Sequence, residues 1–306
     1  MATMHLPRLL THASLLLAIP LFTSCGHSGW WPDVDSAGKC SQRQKIQALT
    51  PDKEIKWKPD GHINTSHIVA LAAYPGDPHK AERYAYFSQV PDAQWFRFSA
   101  PSVSVWATLF PWEWDYRCEI NNVLHSLHGG DQQMIDIRRQ RLIALIQHYV
   151  AQDTKENDWK IGFLIHALGD SYAHVYDKPG EPGHFAYGPG IGHIKPRGSF
   201  SPDSIADNFD NYLAYLTALY SALDTGQGNP KALADYTRFI SKTVEESKSQ
   251  PDPDAYVSSQ VSEYNLSGAP TLQYCEHLKW VKEVNKCKVQ HFLKQTRKQL
   301  CAPRSR

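Results

Sequence analysis

The stretch FLIHALGDSYAHVYD, residues 163–177, places three side chains that can ligate metal within an otherwise apolar helical pattern. His166, Asp170 and His174 follow one another at intervals of four residues. Each such step advances about 40° past a full helical turn, so the three side chains lie along one stripe. Because burying unpartnered His and Asp costs several kcal/mol, the pattern predicts either a hydrogen-bonded polar network or bound metal.

Patterns typical of α-helices recur on both sides of this stretch. The predicted helices span residues 64–74, 78–90, 131–152, 158–177, 201–224, 229–248 and 269–300. Residues 93–116 are dense in aromatic side chains without a helical period and are predicted to be extended or looped, and residues 177–202 form a Gly/Pro-rich loop. No other strand and no internal repeat is indicated, so we expect an all-α protein of roughly seven or eight helices.

The composition is that of an ordinary globular protein. The chain has 306 residues, 42% of them hydrophobic, which is enough to bury a sizeable core. The net charge of +1 gives no electrostatic reason to expect nucleic acid as an obligatory partner. The unusual feature is the presence of 15 His. We expect residues 61–306 to form a single helical metal-binding domain.

The N-terminus has the features of an export signal. Arg8 precedes the apolar run LLTHASLLLAIPLF, which is too short and interrupted for a comfortable membrane span and ends in LFTSC. This arrangement resembles a bacterial lipoprotein signal, with residues 1–24 removed, Cys25 lipidated and residues 25–60 serving as a tether. The prediction is a lipid-anchored protein of the bacterial envelope, on the outer membrane or the periplasmic face. A plain secretory signal is the alternative.

Five cysteines remain if Cys25 is lipidated, and an oxidising compartment makes disulfides plausible. Because five is odd, at least one cysteine is left over or pairs between chains. The spacing shows no zinc-finger pattern, and the connectivity stays open.

Further His and Asp residues lie at predicted helix ends and loop junctions, where ligands from separate segments can converge. They are His67, Asp92, His125, His128, His184, His193 and Asp203. A set of imidazoles and carboxylates without thiolate suits zinc or another borderline divalent ion.

Four motifs occur in a specific order: YFSQVPDA, LHSLHGGD, HALGDSYAH and GIGHIKPRGSFSPD. Over about residues 60–220 this order resembles the all-α zinc-dependent phospholipase C and single-strand-specific nuclease superfamily, and more closely an uncharacterised bacterial branch of it. The resemblance implies a multi-helix zinc phospholipase C-like bundle with a long Gly/Pro-rich loop.

The resemblance also implies a set of metal ligands. Carried over by position, the first zinc ion would be held by Asp92, His166, Asp170 and either His125 or His128. The second would be held by His174 with His193, and with His184 or Asp203. His67 matches an early His that serves a third ion.

Two departures from the superfamily bear on these implications. Its clearest members use the amine of a mature N-terminal Trp as a ligand, which lipidation at Cys25 would forbid. Two ions rather than three are therefore expected. The spacing from Asp170 to the next His is also shorter than in the characterised enzymes, which weakens the expectation of catalysis more than that of metal binding.

The implied activity is hydrolysis of phosphodiesters or phospholipids. Two ions roughly 3.5–4 Å apart would acidify one water and stabilise the departing oxygen. Asp92 is then the candidate to orient or deprotonate that water. Two alternatives remain: a non-catalytic envelope lipoprotein of the same fold stabilised by metal, and a structural protein with a metal-free His/Asp network. The sequence contains no G-x-S-x-G motif, which would have indicated an enzyme with a serine nucleophile.

The aromatic segment 93–116 has three interpretations that the sequence does not separate. It forms a packed aromatic core under a loop, a surface that touches lipid or substrate, or a stacking platform for nucleobases.

Overall fold

The computed structural model describes residues 60–92, 98, 100–189, 202–268, 284 and 286–301. Within these ranges it contains ten α-helices and a two-stranded sheet. The elements are α1 (Thr65–Ala73), α2 (Pro78–Gln89), α3 (Ala100–Leu109), α4 (Trp114–Glu119), α5 (Gln132–Gln152), α6 (Asp158–Ala173), β1 (Val175–Asp177), β2 (His184–Ala186), α7 (Phe209–Leu223), α8 (Pro230–Ser247), α9 (Pro253–Gly268) and α10 (Lys286–Cys301).

Short helical turns join several of these elements. A π-helical turn, Asp60–Asn64, leads into α1, and another, Ile120–Leu124, follows α4. Turns of 3₁₀ type lie at Val90–Asp92, Pro111–Glu113 and Lys155–Asn157. Three of these five turns contain or directly precede residues of the site described below.

The predicted all-α class is confirmed, and several boundaries agree with local capping chemistry. Asp77 accepts a hydrogen bond from the Lys80 amide at 3.0 Å at the start of α2, whose first residue is Pro78. Asp131 likewise caps α5 through the Met134 amide. These are the signals by which a sequence marks a helix start.

Other parts of the predicted secondary structure were wrong. Residues 93–116 were expected to be extended or looped, but α3 and α4 cover most of their described part. Helix α9 was not predicted. The central helix ends at Ala173 rather than at Asp177, and α7 begins at Phe209 rather than near residue 201. Strand β1 takes the place of the predicted end of the central helix, and β2 lies in the Gly/Pro-rich loop; in the hairpin that they form, Val175 lies opposite Ala186.

Helix α6 is the centre of the core. Fifteen of its 16 residues are buried, and it packs against α2, α5 and α7. The approach to α2 is closest at Gly162, where an added Cβ would lie 2.3 Å from the Cβ of Phe87. Glycine therefore sets the distance between the two helices that carry much of the site.

Several predictions lie outside the described residues: the signal peptide, the lipidation site Cys25, almost all of the tether, and His193. Among the cysteines that the structure describes, Cys287 is disulfide-bonded, and Cys118 and Cys301 are free. No helix in the described part of the chain combines the length and apolar character needed to span a bilayer.

Candidate metal centre

Five buried side chains from four segments converge around α6. His166 and Asp170 lie on α6 itself, His62 on the first π-helical turn, Asp92 at the end of the Val90–Asp92 turn, and His125 just after the second π-helical turn. They form two overlapping groups of potential ligands, His62–His166–Asp170 and Asp92–His125–His166, whose ligand atoms lie within 4.8 Å of one another. These groups could hold a metal ion.

Asp170 is the central carboxylate of this cluster. Its Oδ2 lies 3.1 Å from His125 Nδ1 and 3.2 Å from His166 Nε2, and its Oδ1 lies 3.2 Å from His62 Nε2. Asp92 is more distant, since its Oδ1 lies 3.8 Å from His125 Nδ1 and 4.0 Å from His166 Nε2. Asp170 thus faces three imidazoles at ligand-to-ligand distances, and Asp92 stands slightly further back.

The orientation of His166 is fixed from behind by the end of α2. Its Nδ1 lies 2.9 Å from the carbonyl oxygen of Ser88. The carbonyls in the last turn of a helix lack intrahelical partners, and this one accepts a hydrogen bond from the ring. Because a carbonyl only accepts, Nδ1 of His166 carries a proton, and Nε2 presents a lone pair to Asp170 whenever the ring is neutral.

The ring of His125 is also held by a backbone carbonyl, but through Nε2 rather than Nδ1. Its Nε2 lies 3.0 Å from the carbonyl oxygen of Phe98, so Nε2 donates and Nδ1 presents the lone pair. The two lone-pair nitrogens, His125 Nδ1 and His166 Nε2, are 3.1 Å apart. Without a cation between them, one of these rings must be doubly protonated to hydrogen-bond to the other. A metal ion satisfies both nitrogens and the carboxylate at once.

The spacing of these three atoms fits a small divalent ion. His125 Nδ1, His166 Nε2 and Asp170 Oδ2 form a nearly equilateral triangle with sides of 3.1, 3.1 and 3.2 Å. A tetrahedral zinc ion with bonds of about 2.0–2.1 Å separates its ligand atoms by roughly 3.3–3.4 Å. Ligating His residues also commonly donate their other N–H to a backbone carbonyl, as both rings do here.

His174 lies just beyond α6 and faces a different carboxylate. Its Nδ1 donates to the carbonyl of His125 at 2.8 Å, which leaves Nε2 directed at Asp203, 3.5 Å from Oδ1. Its Nδ1 is also 3.6 Å from Asp170 Oδ2. The nitrogen of His174 that can ligate therefore points away from the triangle, toward Asp203.

The electrostatics of the cluster favour a cation. Burial by itself would raise the pKa of Asp170, but the charges of His174 and His166 outweigh it and hold that pKa well below its usual range. Burial likewise would lower the pKa of His174, yet Asp170 and Asp203 raise it to about 9. In the metal-free protein, positive charge on His174 therefore partly balances the buried carboxylates.

Sequence reasoning missed His62. Its Nε2 reaches both Asp170, at 3.2 Å, and Asp92, at 3.5 Å, and its ring stacks on His166 with centroids 4.1 Å apart. The available signal was its place in DGHIN, directly before a predicted helix start, in a chain whose other candidate His residues also lie at such junctions.

The remaining predicted residues do not belong to the two groups of potential ligands found among the described residues. The structure brings His125 rather than His128 to Asp170. His67 is buried, with Nδ1 2.7 Å from Asn265 Oδ1 on α9. His184 pairs with Asp177 across the hairpin at 2.6 Å.

No family model, curated protein or solved structure matches this chain. The resemblance to the zinc-dependent phospholipase C superfamily therefore rests on the sequence motifs alone.

Proposed function

We propose that this protein is a zinc-dependent phosphoester hydrolase with a zinc phospholipase C-like bundle, anchored by lipid in the bacterial envelope. The observation that carries the proposal is the pair of backbone carbonyls, from Ser88 and Phe98, that turn two imidazole lone pairs toward Asp170. In a metal-free polar network these two nitrogens, 3.1 Å apart, require that one ring be doubly protonated, whereas a bound zinc ion satisfies both neutral rings. The sequence motifs add the expectation of phosphodiester or phospholipid substrates.

The proposed ligands of the first ion are His125, His166 and Asp170, with Asp92 or His62 as the fourth. Imidazole and carboxylate donors without thiolate suit zinc. Because each ring nitrogen binds one ion and His166 belongs to both ligand groups, these groups describe one ion position rather than two. A second ion would use the Nε2 of His174 together with Asp203, and with His193 if the motif carries over.

A zinc ion held by these residues would lower the pKa of a bound water and would stabilise the oxygen that departs from phosphorus. The protein's own side chains have separate roles around it. Asp170 contributes charge at ligand distance from His125 Nδ1 and His166 Nε2. The Oδ1 of Asp92 stands 3.8 Å and 4.0 Å from these two nitrogens, and Asp92 is the most exposed of the five residues, at 8%. Asp92 is therefore placed to orient the attacking water or to take its proton.

The second candidate is a non-catalytic lipoprotein of the same fold in which metal only stabilises the helices. The observation that favours it is burial, since His62, His125 and His166 are fully buried and Asp170 is 2% exposed. Closed sites with a full set of protein ligands are typical of structural zinc.

The two candidates differ in their response to Asp92→Asn. In a hydrolase, zinc-loaded D92N loses at least about a hundredfold in kcat on bis(p-nitrophenyl) phosphate, as expected for loss of a general base, and keeps the zinc held by Asp170. The control His148→Gln, on an exposed face of α5, leaves kcat unchanged. Zinc-loaded wild type that hydrolyses neither this compound nor phosphatidylcholine would leave only the structural role.

A further inference from the structure

The backbone turns sharply directly after His125, at a residue with a positive φ. Ser126 has a φ of 50°, and among the non-glycine residues that the structure describes only Asp153 shares this left-handed conformation. The other positive-φ positions of the same loop are glycines, Gly129 and Gly130. Because this conformation strains a residue with a side chain but not glycine, Ser126 stands where glycine would be the easier choice.

The turn at Ser126 ends a helical segment. The amide of His125 closes the π-helical turn Ile120–Leu124 through a hydrogen bond of 3.1 Å to its first carbonyl. The amide of Leu127 then folds back onto the Asn121 carbonyl at 2.9 Å. A left-handed residue just beyond a helix end is a common way to stop a helix, and it is usually glycine. Local backbone geometry therefore explains the conformation of residue 126 but not the choice of serine.

The Ser126 hydroxyl makes a contact that glycine could not make. Its Oγ donates to the carbonyl oxygen of Ala167 on α6 at 2.6 Å, and both residues are only 1% exposed. The two residues are 41 positions apart in the sequence, so this is not the local bond to the neighbouring backbone that serine commonly makes in turns. The hydroxyl therefore links the loop after the π-helical turn to the central helix.

This link joins the residues that directly follow two proposed ligands. Ser126 follows His125, and Ala167 follows His166. The ligand atoms themselves, His125 Nδ1 and His166 Nε2, are 3.1 Å apart. The two backbone carbonyls described above set how each ring is rotated, whereas the bond from Ser126 to Ala167 sets how far apart the two backbones lie. The bond is thus placed to determine the separation of the two ligand atoms.

The separation of the ligand atoms decides which ion fits between them. A tetrahedral ion with bonds of about 2.0–2.1 Å requires roughly 3.3–3.4 Å between its ligand atoms. An ion with bonds of about 2.3 Å, the lower end of the Ca²⁺ range, requires roughly 3.8 Å. Cd²⁺ has nearly the radius of Ca²⁺ but accepts imidazole as zinc does. The two histidines can reach the wider spacing only if the short, buried bond made by Ser126 lengthens or breaks.

We propose that Ser126 is a positioning residue that holds His125 and His166 at the spacing of a zinc ion and so makes the site selective for small divalent ions over larger ones. The proposal rests on the proposed function, because it takes these two imidazoles to be metal ligands. It assigns metal selectivity to a residue that is not itself a ligand.

The test compares Ser126→Gly and Ser126→Ala with wild type, each as the full chain. Both substitutions remove the hydroxyl, but glycine adopts the left-handed conformation without strain and alanine does not. Competition with a chromophoric chelator gives the affinities for Zn²⁺ and Cd²⁺, and urea unfolding of the metal-free protein gives the stability. Ser247→Ala is the matched control, because the Ser247 hydroxyl is also buried and donates to a backbone carbonyl, that of Val244 on α8, at 2.8 Å.

Ser126→Gly should lower the zinc affinity at least about tenfold, as loss of a residue that supports a ligand typically does, although its metal-free form should resist urea at least as well as that of Ser126→Ala. The Cd²⁺ affinity should fall less, so that the ratio of zinc to cadmium affinity drops at least about fivefold as the site becomes more flexible. A purely structural role of the hydroxyl would not change this ratio, and Ser247→Ala should leave it unchanged. Wild-type zinc affinity in Ser126→Gly, or an equal loss for the two ions, would overturn the proposal.

Failure of this proposal is distinguishable from failure of the proposed function. A wild-type chain that binds no zinc would refute the metal centre itself, and the role of Ser126 would fall with it. A wild-type chain that binds zinc, together with a Ser126→Gly chain that binds it equally well, would refute only the role of Ser126.

Discussion

Gly162→Ala tests whether the close packing of α2 against α6 positions the ligands of the candidate metal centre. Gly162 lies on α6, one turn before His166, and faces Phe87, the residue before Ser88. The substitution adds a Cβ 2.3 Å from the Phe87 Cβ and 2.8 Å from its carbonyl carbon. Because non-bonded carbons normally stay about 3.5–4.0 Å apart, α2 and α6 must separate by about 1 Å or more.

The magnitude follows from three effects. Overpacking of this kind costs about 1–3 kcal/mol, and replacing Gly by Ala inside a helix returns about 1 kcal/mol. The net loss of unfolding free energy is therefore up to about 2 kcal/mol. Moving Ser88 by about 1 Å also breaks its 2.9 Å hydrogen bond to His166, and losing such a support typically weakens metal binding about 10–100-fold.

The assay has two readouts. Urea unfolding of the metal-free protein gives the stability change, and competition with a chromophoric chelator gives the zinc affinity. Gly76→Ala is the matched control, because a Cβ there meets nothing within 4 Å. If Gly162→Ala matches this control in both stability and zinc affinity, the coupling of α2–α6 packing to the His166 tautomer is wrong.

Three further predictions concern single side chains. Asp170→Ala leaves two facing lone pairs without their carboxylate, and stoichiometric zinc binding, measured by titration calorimetry, should be lost; zinc binding of wild-type strength would refute the site. Arg83→Met removes the cation whose Nε contacts the buried Asp158 at 2.5 Å, so urea unfolding should show a loss of about 3–5 kcal/mol; the exposed Lys231→Met should lose less than about 1 kcal/mol, and equal losses would contradict the reasoning. Burial lowers the pKa of His128 to about 3; the unfolded chain therefore binds more protons between pH 3 and about 6.5, and wild-type stability falls as the pH falls through that window. His128→Gln should fall less steeply there, and an unchanged slope would show that His128 titrates normally.

The parts of the fold that the sequence predicted have a local cause. Helix α2 begins where Asp77 and Pro78 specify a start, and α6 follows from an apolar pattern strong enough to read on its own. Helix α3 was missed because APSVSVWATL is rich in β-branched and Ser residues, so its helical state depends on tertiary packing rather than local propensity.

The candidate site was predictable to the extent that it uses side chains of α6 and their motif partners. His166 and Asp170 share a helix face because they are four residues apart. The motif order added Asp92 and left His125 and His128 as alternatives, between which only the structure decides. The features that decide the chemistry are backbone carbonyls of Ser88 and Phe98, which any residue provides and no motif records. His62 was missed because it enters from a π-helical turn that sequence patterns do not mark.

The most direct test of the central claim is the zinc content of the purified full chain, measured by inductively coupled plasma mass spectrometry without chelator or metal-affinity resin. The account predicts at least one zinc per chain, and two if His174 and Asp203 hold the second. His125→Ala should lose the first ion, and His148→Ala should lose none. A wild-type chain that holds no stoichiometric metal, even after zinc is added back, would contradict the account and leave His125, His166 and Asp170 as a buried polar network.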